Sequence, residues 1–117
     1  MKHDNRNHEV ALKSKDPCAP GTEFVLVAPP QSVAYRIDQL VVLEYAESWL
    51  IHSLMVGGRE QLDPTIVPIR GDSDELRNLR ALTCQTAMDV EVTVEYVRDM
   101  PRKGVPFAAK LIGTAVP

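Results

Sequence analysis

The segment from Asp89 to Val97 constrains the fold more than any other stretch of this chain, because its side chains alternate strictly between apolar and polar. The apolar positions are Val90, Val92, Val94 and Tyr96, and the polar ones between them are Glu91, Thr93 and Glu95. A period of two is the period of a β-strand with one buried and one wet face. A helix would scatter the apolar side chains around its circumference, so the segment predicts a half-exposed strand of an antiparallel sheet.

Other short runs rich in β-branched residues, separated by turn residues at intervals of roughly ten, extend this pattern along the chain. We expect strands at residues 24–27, 35–44, 49–56, 65–69, 81–85, 90–97 and 107–116. Pro29-Pro30 end the first of them, and Pro68 confines the fourth to a sheet edge, because proline donates no hydrogen bond to a ladder. About seven or eight short strands predict an all-β fold, a two-sheet antiparallel sandwich with a jelly-roll-like arrangement.

Two of these strands carry further information. Residues 40–43 are apolar on both faces, which predicts a strand covered on one face by the second sheet and on the other by a loop or a partner. Residues 107–116 are rich in alanine and glycine, which indicates a close approach of sheet to sheet or of backbone to backbone.

Two segments have a helical alternative. Several apolar side chains of residues 46–55 share a helical face, but Gly57-Gly58 follow directly and the flanking segments are β-rich, so we favour a strand. Further along, Ser73 or Asp74 can cap a helix, and the acidic residues there suit its positive N-terminal end. We therefore expect at most one short helix, which begins at this point.

Length and composition indicate one domain preceded by a polar arm. The chain has 117 residues, of which 44% are hydrophobic and 25% charged, and this is enough for a core without disulfides or a structural metal. Residues 1–20 are polar, mixed in charge and interrupted by Pro17 and Pro20. We interpret them as an extended N-terminal arm outside the core and assign the sandwich domain to residues 21–117.

Charge and hydropathy argue against two classes of partner. The formal net charge is −3, whereas a protein that neutralises phosphates needs a basic face, so we expect no nucleic-acid partner. No apolar run approaches the roughly 20 residues that cross a bilayer, so we expect no membrane partner. Residues 1–8 lack the apolar core of a secretory signal, so we expect no export.

The chain contains two cysteines, Cys18 and Cys84. A disulfide framework would have more of them at closer spacing, so we expect two free thiols in a reducing compartment. The alternative is a single bridge that ties the N-terminal segment to the body of the domain.

The sequence predicts no catalytic, cofactor-binding or metal-ligating residues. His3 and His8 are five positions apart, whereas a helical metal pair is spaced i, i+4. His52 lies in the middle of an expected strand, where a lone histidine is usually a half-buried ring. Cys84 has no neighbouring base in the sequence, and His52 is its only candidate in the body of the domain.

Three loop motifs have ordinary structural interpretations. Asp72, Asp74 and Glu75 lie close together, but they lack the alternating oxygens and the distant bidentate acid of a calcium loop. The tripeptide Arg70-Gly71-Asp72 has the integrin-binding sequence, but three residues recur by chance, so we interpret it as a turn. Gly57-Gly58 is not followed by a helix N-terminus or by Lys-Ser/Thr, so it is not a phosphate cradle.

Three segments of the chain are informative together: residues 56–62 (VGGREQL), the alternating residues 89–97, and residues 107–116 (FAAKLIGTAV). In this combination the chain resembles small β-sandwich proteins associated with tailed-phage and virus-like capsids, over about residues 24 to 116. The resemblance implies a jelly-roll-like protein that sits on a shell or builds one. Its motifs are structural, so it assigns no functional residue.

We therefore expect a non-enzymatic structural protein, such as a capsid decoration or minor capsid subunit. Its partners would be other protein subunits, in a homo-oligomer or with a capsid protein, and it would be located in a virion or virus-like particle, or otherwise in the cytoplasm. Residues 1–20 and the charged loop 98–106 are the expected contacts. Removal of residues 1–20 is expected to abolish assembly and to leave a folded monomer.

Two other functions stay open on the sequence. A carbohydrate- or ligand-binding module would display aromatic stacking platforms. The chain has six aromatic residues; we interpret Trp49 and Tyr96 as core, and an exposed pair such as Tyr35 and Tyr45 would favour this function. A cupin-type enzyme would need a histidine metal site that three histidines do not complete, and metal analysis separates that case.

Overall fold

The alternating segment forms a strand inside a sheet. In the computed structural model, which describes residues 7–79, 83–86, 88–97 and 104–116, the strand runs over Val90–Tyr96. Its apolar side chains are fully buried and its polar side chains are partly exposed. The expected half-exposed strand is confirmed.

Nine strands occur within the described residues. They are β1 (Asn7–Lys13), β2 (Glu23–Ala28), β3 (Tyr35–Val42), β4 (Trp49–Val56), β5 (Arg59–Glu60), β6 (Ile69–Arg70), β7 (Thr83–Cys84), β8 (Val90–Tyr96) and β9 (Ala108–Ala115). Sheet 1 has the order β1-β9-β3-β7, and sheet 2 has the order β2-β8-β4-β5, with β6 paired to the other end of β4.

The pairing is nested, with strands from the two ends of the chain joined first. β1 pairs with β9, β2 with β8, β3 with β7, and β4 with β5, and every pair is antiparallel. A long hairpin folded in this way across two sheets is a jelly roll. The predicted all-β two-sheet sandwich is confirmed, and the strand order is that of the jelly roll.

The core lies between the inward faces of the two sheets and centres on three aromatic rings. Trp49 lies 5.0 Å from Tyr96 and 4.9 Å from Phe107 between ring centroids, and all three are fully buried. The Trp49 Nε1 and the Tyr96 hydroxyl have no hydrogen-bond partner among the described residues. This cluster is therefore stabilised by apolar area and ring packing, not by polar bonds.

The boundary assigned at residue 20 is corrected by the structure. β1 pairs with β9 along its whole length, from Asn7 opposite Thr114 to Lys13 opposite Ala108. Val10 and Leu12 are buried in the core, because they lie on the inward face of the strand, whereas Glu9, Ala11 and Lys13 on the other face are exposed. Residues 7–13 thus belong to the sandwich, while residues 1–6 lie outside the described part of the chain. Removal of residues 1–20 would take away a core strand, so it does not test assembly.

Of the two segments with a helical alternative, one forms a strand and the other a short 3-10 turn. Residues 49–56 form β4, preceded by a 3-10 turn at Ala46–Ser48. The expected short helix is a second 3-10 turn, Asp74–Arg77, and Ser73 caps it by accepting a hydrogen bond from the Glu75 N–H. Of the expected strand at 65–69, only the end is realised, as β6.

A bulge in β3 explains one of the small residues near the C-terminus. The pairing of β3 with β9 shifts between Ile37 and Gln39, so Asp38 is the extra residue. Gly113 lies opposite Ile37, and a Cβ at this position would collide with the carbonyl oxygen of Arg36. The close approach of backbone to backbone expected from this segment is therefore found at Gly113.

Replacement of Gly113 by alanine is expected to lower the free energy of unfolding by about 3 kcal/mol, because the added methyl group forces the bulge apart. Ala11→Val is the control, since Ala11 is exposed on β1 of the same sheet and should change stability by less than about 0.5 kcal/mol. Urea unfolding of the two variants and the wild type measures both effects. Equal stability of Gly113→Ala and the wild type would contradict the close approach.

The bulge residue Asp38 gives a pH-dependent prediction. Partial burial raises the pKa of Asp38, but hydrogen bonds from Arg36 Nε (2.8 Å) and Thr114 Oγ1 (2.8 Å) outweigh it, so the net pKa is lowered. A carboxylate with a lowered pKa stabilises the fold above its unfolded-state value of about 3.9, and this contribution is lost as the pH falls through the folded-state pKa.

Asp38→Asn should therefore lower stability by about 1 kcal/mol at neutral pH, and the difference from wild type should vanish in acid. Urea unfolding at a series of pH values measures it. Asp74→Asn is the control, because the Asp74 side chain is 96% exposed and lies 4.0 Å from Arg77, a geometry that contributes little. A difference that persists at low pH would show that the carboxylate charge is not its source.

Candidate assembly surface

The two sides of the sandwich differ in how their edge strands are protected. On one side β5, β6 and the described part of β7 are two residues long each. Between β5 and β6 the Glu60 carboxylate accepts the N–H groups of Leu54 (2.9 Å) and Leu62 (3.3 Å), so a side chain occupies the gap in the ladder. Short and blocked edges of this kind do not template pairing with another chain.

The other side carries two long edges, and they differ in charge. β1 and β2 have seven and six residues and end their sheets within the described part of the chain. β1 directs charged residues outward, including Glu9, whose carboxylate lies 3.2 Å from Lys110 Nζ. β2 carries one charged residue, Glu23, at its first position. Charged side chains protect edges from pairing, so β2 is the less protected of the two.

Beyond Glu23, the outward side chains of β2 are apolar. Val25 is 58% exposed and Val27 is 53% exposed, whereas Leu26 and Ala28 face the core. The strand is therefore apolar on both faces, although nothing in the described residues covers the outer one. We call β2, with its two outward valines, the edge surface.

Space beside the edge surface leaves it accessible. A depression of about 310 Å³ separates residues 24–27 from residues 13–16. The loop of residues 13–16, on the other side of the depression, is fixed by Ser14. The Ser14 hydroxyl accepts a hydrogen bond from the Phe107 N–H (2.9 Å) and donates one to the Asp16 carbonyl (2.8 Å).

A second apolar group lies at one end of the sandwich. Leu43 and Tyr45 are each 47% exposed and Val97 is 40% exposed. The Ser48 N–H donates to the Tyr45 carbonyl and the Val97 N–H donates to the Ser48 carbonyl, so these loops are tied together. We call Leu43, Tyr45 and Val97 the end surface. It includes Leu43, the last residue of the segment 40–43, whose outer face was expected to meet a loop or a partner.

Tyr45 also has a strained backbone. Its φ is 55° and its ψ is 39°, in the left-handed region that a bulky residue rarely adopts. This conformation costs about 1–2 kcal/mol for a residue with a Cβ. Strained residues concentrate at functional sites, so an exposed and strained tyrosine beside Leu43 is a candidate contact.

The histidines of the described residues have local structural roles. His52 lies at a bulge in β4, and its Nε2 is 2.8 Å from Glu95 Oε1 on the outer face of sheet 2. His8 Nε2 is 3.1 Å from Gln31 Oε1, and its ring packs 4.7 Å from Tyr35. His3 lies outside the described residues. Within the described ranges, no three or more His, Cys, Asp or Glu side chains are grouped to hold a metal ion.

Both cysteines are free and buried, so the expectation of two free thiols is confirmed over the single bridge. Cys18 pairs with Val105 through a backbone hydrogen bond of 2.7 Å from its N–H. The Cys84 thiol donates to the carbonyl oxygens of Gln85 and Met88, each at 3.6 Å. Burial raises the pKa of Cys84, which opposes formation of a nucleophilic thiolate.

The acidic loops line an open depression of about 680 Å³ between residues 61–69 and 73–79. Their carboxylates have partners within their own loops. Asp63 accepts from both the N–H and the hydroxyl of Thr65, and Glu75 accepts from the Ser73 hydroxyl. These bonds lower the pKa of Asp63 and of Glu75. These acidic side chains therefore stabilise the turns in which they lie.

The remaining loop motifs are turns. Arg70 Nη2 is 2.7 Å from Asp72 Oδ2, and the Gly71 N–H donates to the Trp49 carbonyl at 2.8 Å, so this tripeptide is packed against β4. Gly57-Gly58 joins β4 to β5 with φ of 58° and 82°. Two consecutive positive φ values are those of a two-residue hairpin turn.

The aromatic pair that would favour a carbohydrate module is not displayed together. Tyr35 is buried, whereas Tyr45 is exposed. Trp49 and Tyr96 are core residues, as the sequence predicts.

Comparison of the chain with protein-family models, with curated proteins and with solved structures finds no match. The helical segments among the described residues are 3-10 turns of three and four residues, and neither could span a bilayer. The basis for a functional proposal is therefore the fold and the two apolar surfaces.

The sequence pattern alone does not single out Val25 and Val27 as contacts. Of the segments expected to make contacts, residues 1–6 and 98–103 lie outside the described residues. A signal for the valines was present. The segment Phe24–Ala28 is apolar at five consecutive positions, as are residues 40–43, for which a second covering layer was expected. The apolar pattern does not show where the strand lies in its sheet. Only the order of the strands shows that β2 is an edge strand.

Tyr45→Asn is expected to raise stability by about 1 kcal/mol, and Tm by roughly 4 °C, because asparagine tolerates the left-handed conformation. Tyr45→Phe keeps both the ring and the strain and should leave Tm unchanged. Thermal unfolding of both variants measures the effect. A lower Tm for Tyr45→Asn would show that contacts of the ring outweigh the backbone strain.

Proposed function

We propose that this protein is a non-enzymatic structural subunit that assembles with other protein subunits, as a decoration or minor component of a phage or virus-like capsid. The observation that carries the proposal is the edge surface. Val25 and Val27 are more than half exposed on an unprotected edge strand, while the opposite side of the same sandwich is closed by short strands and by Glu60.

An edge strand whose residues 24–28 are all apolar favours association for two physical reasons. Its outer backbone groups can continue a ladder with another chain, and its exposed valines gain free energy when they leave water. Left unpaired, the same strand promotes aggregation. A protein that keeps such an edge on one side and blocks it on the other is consistent with a side built for a specific neighbour.

The end surface supports the same function through a separate contact. Leu43, Tyr45 and Val97 expose apolar area on loops at one end of the sandwich, and exposed apolar groups bordered by polar residues are typical of interaction sites. A shell holds each subunit through several modest contacts, and their effective affinity multiplies. An edge and an end on one small domain suit this mode of assembly.

The capsid association is the finer part of the proposal. Jelly rolls occur in viral capsid, lectin and cupin domains, and a fold alone does not choose among them. The resemblance of residues 56–62, 89–97 and 107–116 to capsid-associated sandwiches favours the first. On this proposal the protein is located in a virion or virus-like particle, its partners are protein subunits, and it uses no cofactor, nucleic acid or membrane.

The test compares the wild-type chain with a variant of the edge surface. Light scattering over a range of concentrations and negative-stain images should show oligomers or particles for the wild type. Val25→Lys/Val27→Lys should remain monomeric, with an unchanged circular dichroism spectrum, because two cations per copy cannot be buried against a neighbour. Val116→Lys is the matched control, since Val116 is also an exposed valine but lies outside β2, and it should assemble like the wild type.

A wild-type chain that stays monomeric at every concentration would overturn the proposal. That result would favour the ligand-binding module, and a screen against oligosaccharides would then follow. Equal assembly of the double-lysine variant and the wild type would remove the edge surface from the proposal.

A further inference from the structure

We infer that the edge surface pairs with the same surface of a second copy of this chain, antiparallel, about a two-fold axis through Leu26. The inference rests on the proposed assembly function and names the partner of its central surface. The two copies of sheet 2 would then join edge to edge into one continuous sheet. Such an isologous contact closes on itself, so each copy's β2 is used once and no fibre grows from it.

Charge decides the direction of the two strands. In a parallel pair Glu23 would lie beside its own copy, and like charges in neighbouring strands destabilise the pair. In an antiparallel pair centred on Leu26 the two Glu23 residues lie six positions apart along the strand, or about 20 Å. That separation exceeds the screening length of about 8 Å at physiological salt.

Side-chain alternation and polarity decide the register. Only pairings that bring outward residues opposite outward residues keep the valines on one face. With the axis at Leu26, Val25 lies opposite Val27 of the second copy, and Phe24 lies opposite Ala28, so large meets small. With the axis at Val25, Glu23 would lie opposite Val27, and its charge would be set against the apolar patch. The first register leaves every facing pair between residues 24 and 28 apolar.

The ends of the strand fit the same arrangement. Pro29-Pro30 cannot extend the ladder, so pairing stops one residue after Ala28. There Glu23 of one copy reaches Pro29 of the other, beside Gln31, whose Nε2 donates to the Pro29 carbonyl (2.9 Å) and has a second N–H free of that bond. His8 Nε2 lies 3.1 Å from Gln31 Oε1, so the His8 N–H is used within its own copy. The Glu23 carboxylate of each copy would accept the remaining Gln31 N–H of the other, where the apolar ladder ends.

The test is cysteine cross-linking under mild oxidation, with Val25→Cys and Val27→Cys made as separate variants. Opposed residues of an antiparallel pair have Cα atoms roughly 4.5–5.5 Å apart, which a disulfide spans. Two copies of residue 25 would be about 8 Å apart in this register, beyond its reach. An equimolar mixture of the two variants should therefore form about tenfold more covalent dimer than either variant alone. The wild type is the background control, since Cys18 and Cys84 are buried.

Charge variants provide an independent measurement that does not depend on disulfide geometry. In the double variant Val25→Lys/Val27→Glu, the introduced ammonium of each copy lies opposite the introduced carboxylate of the other, so two ion pairs form across the axis. This variant should still form dimers in light scattering, and more weakly as salt is raised. Val25→Lys/Val27→Lys should be monomeric, because cations then face each other at both positions.

Each adverse result has a definite meaning. Strong cross-linking of Val25→Cys alone would place the axis at Val25 and overturn the register. A second adverse result has three parts: the wild type assembles, no combination of cysteine variants cross-links, and both charge variants lose assembly equally. It would overturn the pairing of two copies and would favour assembly through a strand of a different partner. A wild-type chain without any assembly would instead overturn the proposed function itself.

Discussion

The structure depends on the burial of inward side chains between two sheets that pair in a nested order. β8 and β4 bring Tyr96 and Trp49 together, and the chain entering β9 adds Phe107, so strands distant in sequence meet at one aromatic cluster. Two polar atoms of that cluster have no hydrogen-bond partner in the described part of the chain, and the apolar area it buries must outweigh this cost. Because the first and last strands pair with each other, the core closes only when nearly the whole chain is in place.

This dependence on distant pairing explains why β1 is part of the domain. A strand of only two buried side chains, Val10 and Leu12, is marginal by itself, and it is stabilised by the complete ladder that β9 offers. It also explains the bulge at Asp38. The extra residue brings the Arg36 carbonyl against Gly113, and the Asp38 carboxylate accepts hydrogen bonds from Arg36 of its own strand and from Thr114 of β9. Local irregularity is thus accommodated by one glycine and one carboxylate.

A sandwich of two open sheets necessarily has edges, and this one treats them unequally. Glu60 and the short strands close one side, whereas β2 remains open with Val25 and Val27 in water. The unequal treatment is the feature that points towards function, since core packing alone does not require it. The strained Tyr45 at one end of the sandwich is a second departure from what the fold requires. Both departures lie on the surface, where a neighbouring subunit could use them.

The sequence by itself determined the β character of this protein, the two-sheet architecture and most of the core. Alternation with a period of two reports which face of a strand is buried, as in Val90–Tyr96, and this information is local. It did not determine that residues 7–13 form a strand, since Val10, Ala11 and Leu12 are consecutive apolar residues and show no alternation. Nor did it show that the apolar segment 24–28 is uncovered on one side. Whether a strand is central or at an edge is decided by which strands lie beside it. Those neighbours come from distant parts of the chain, so only the tertiary structure determined the candidate site.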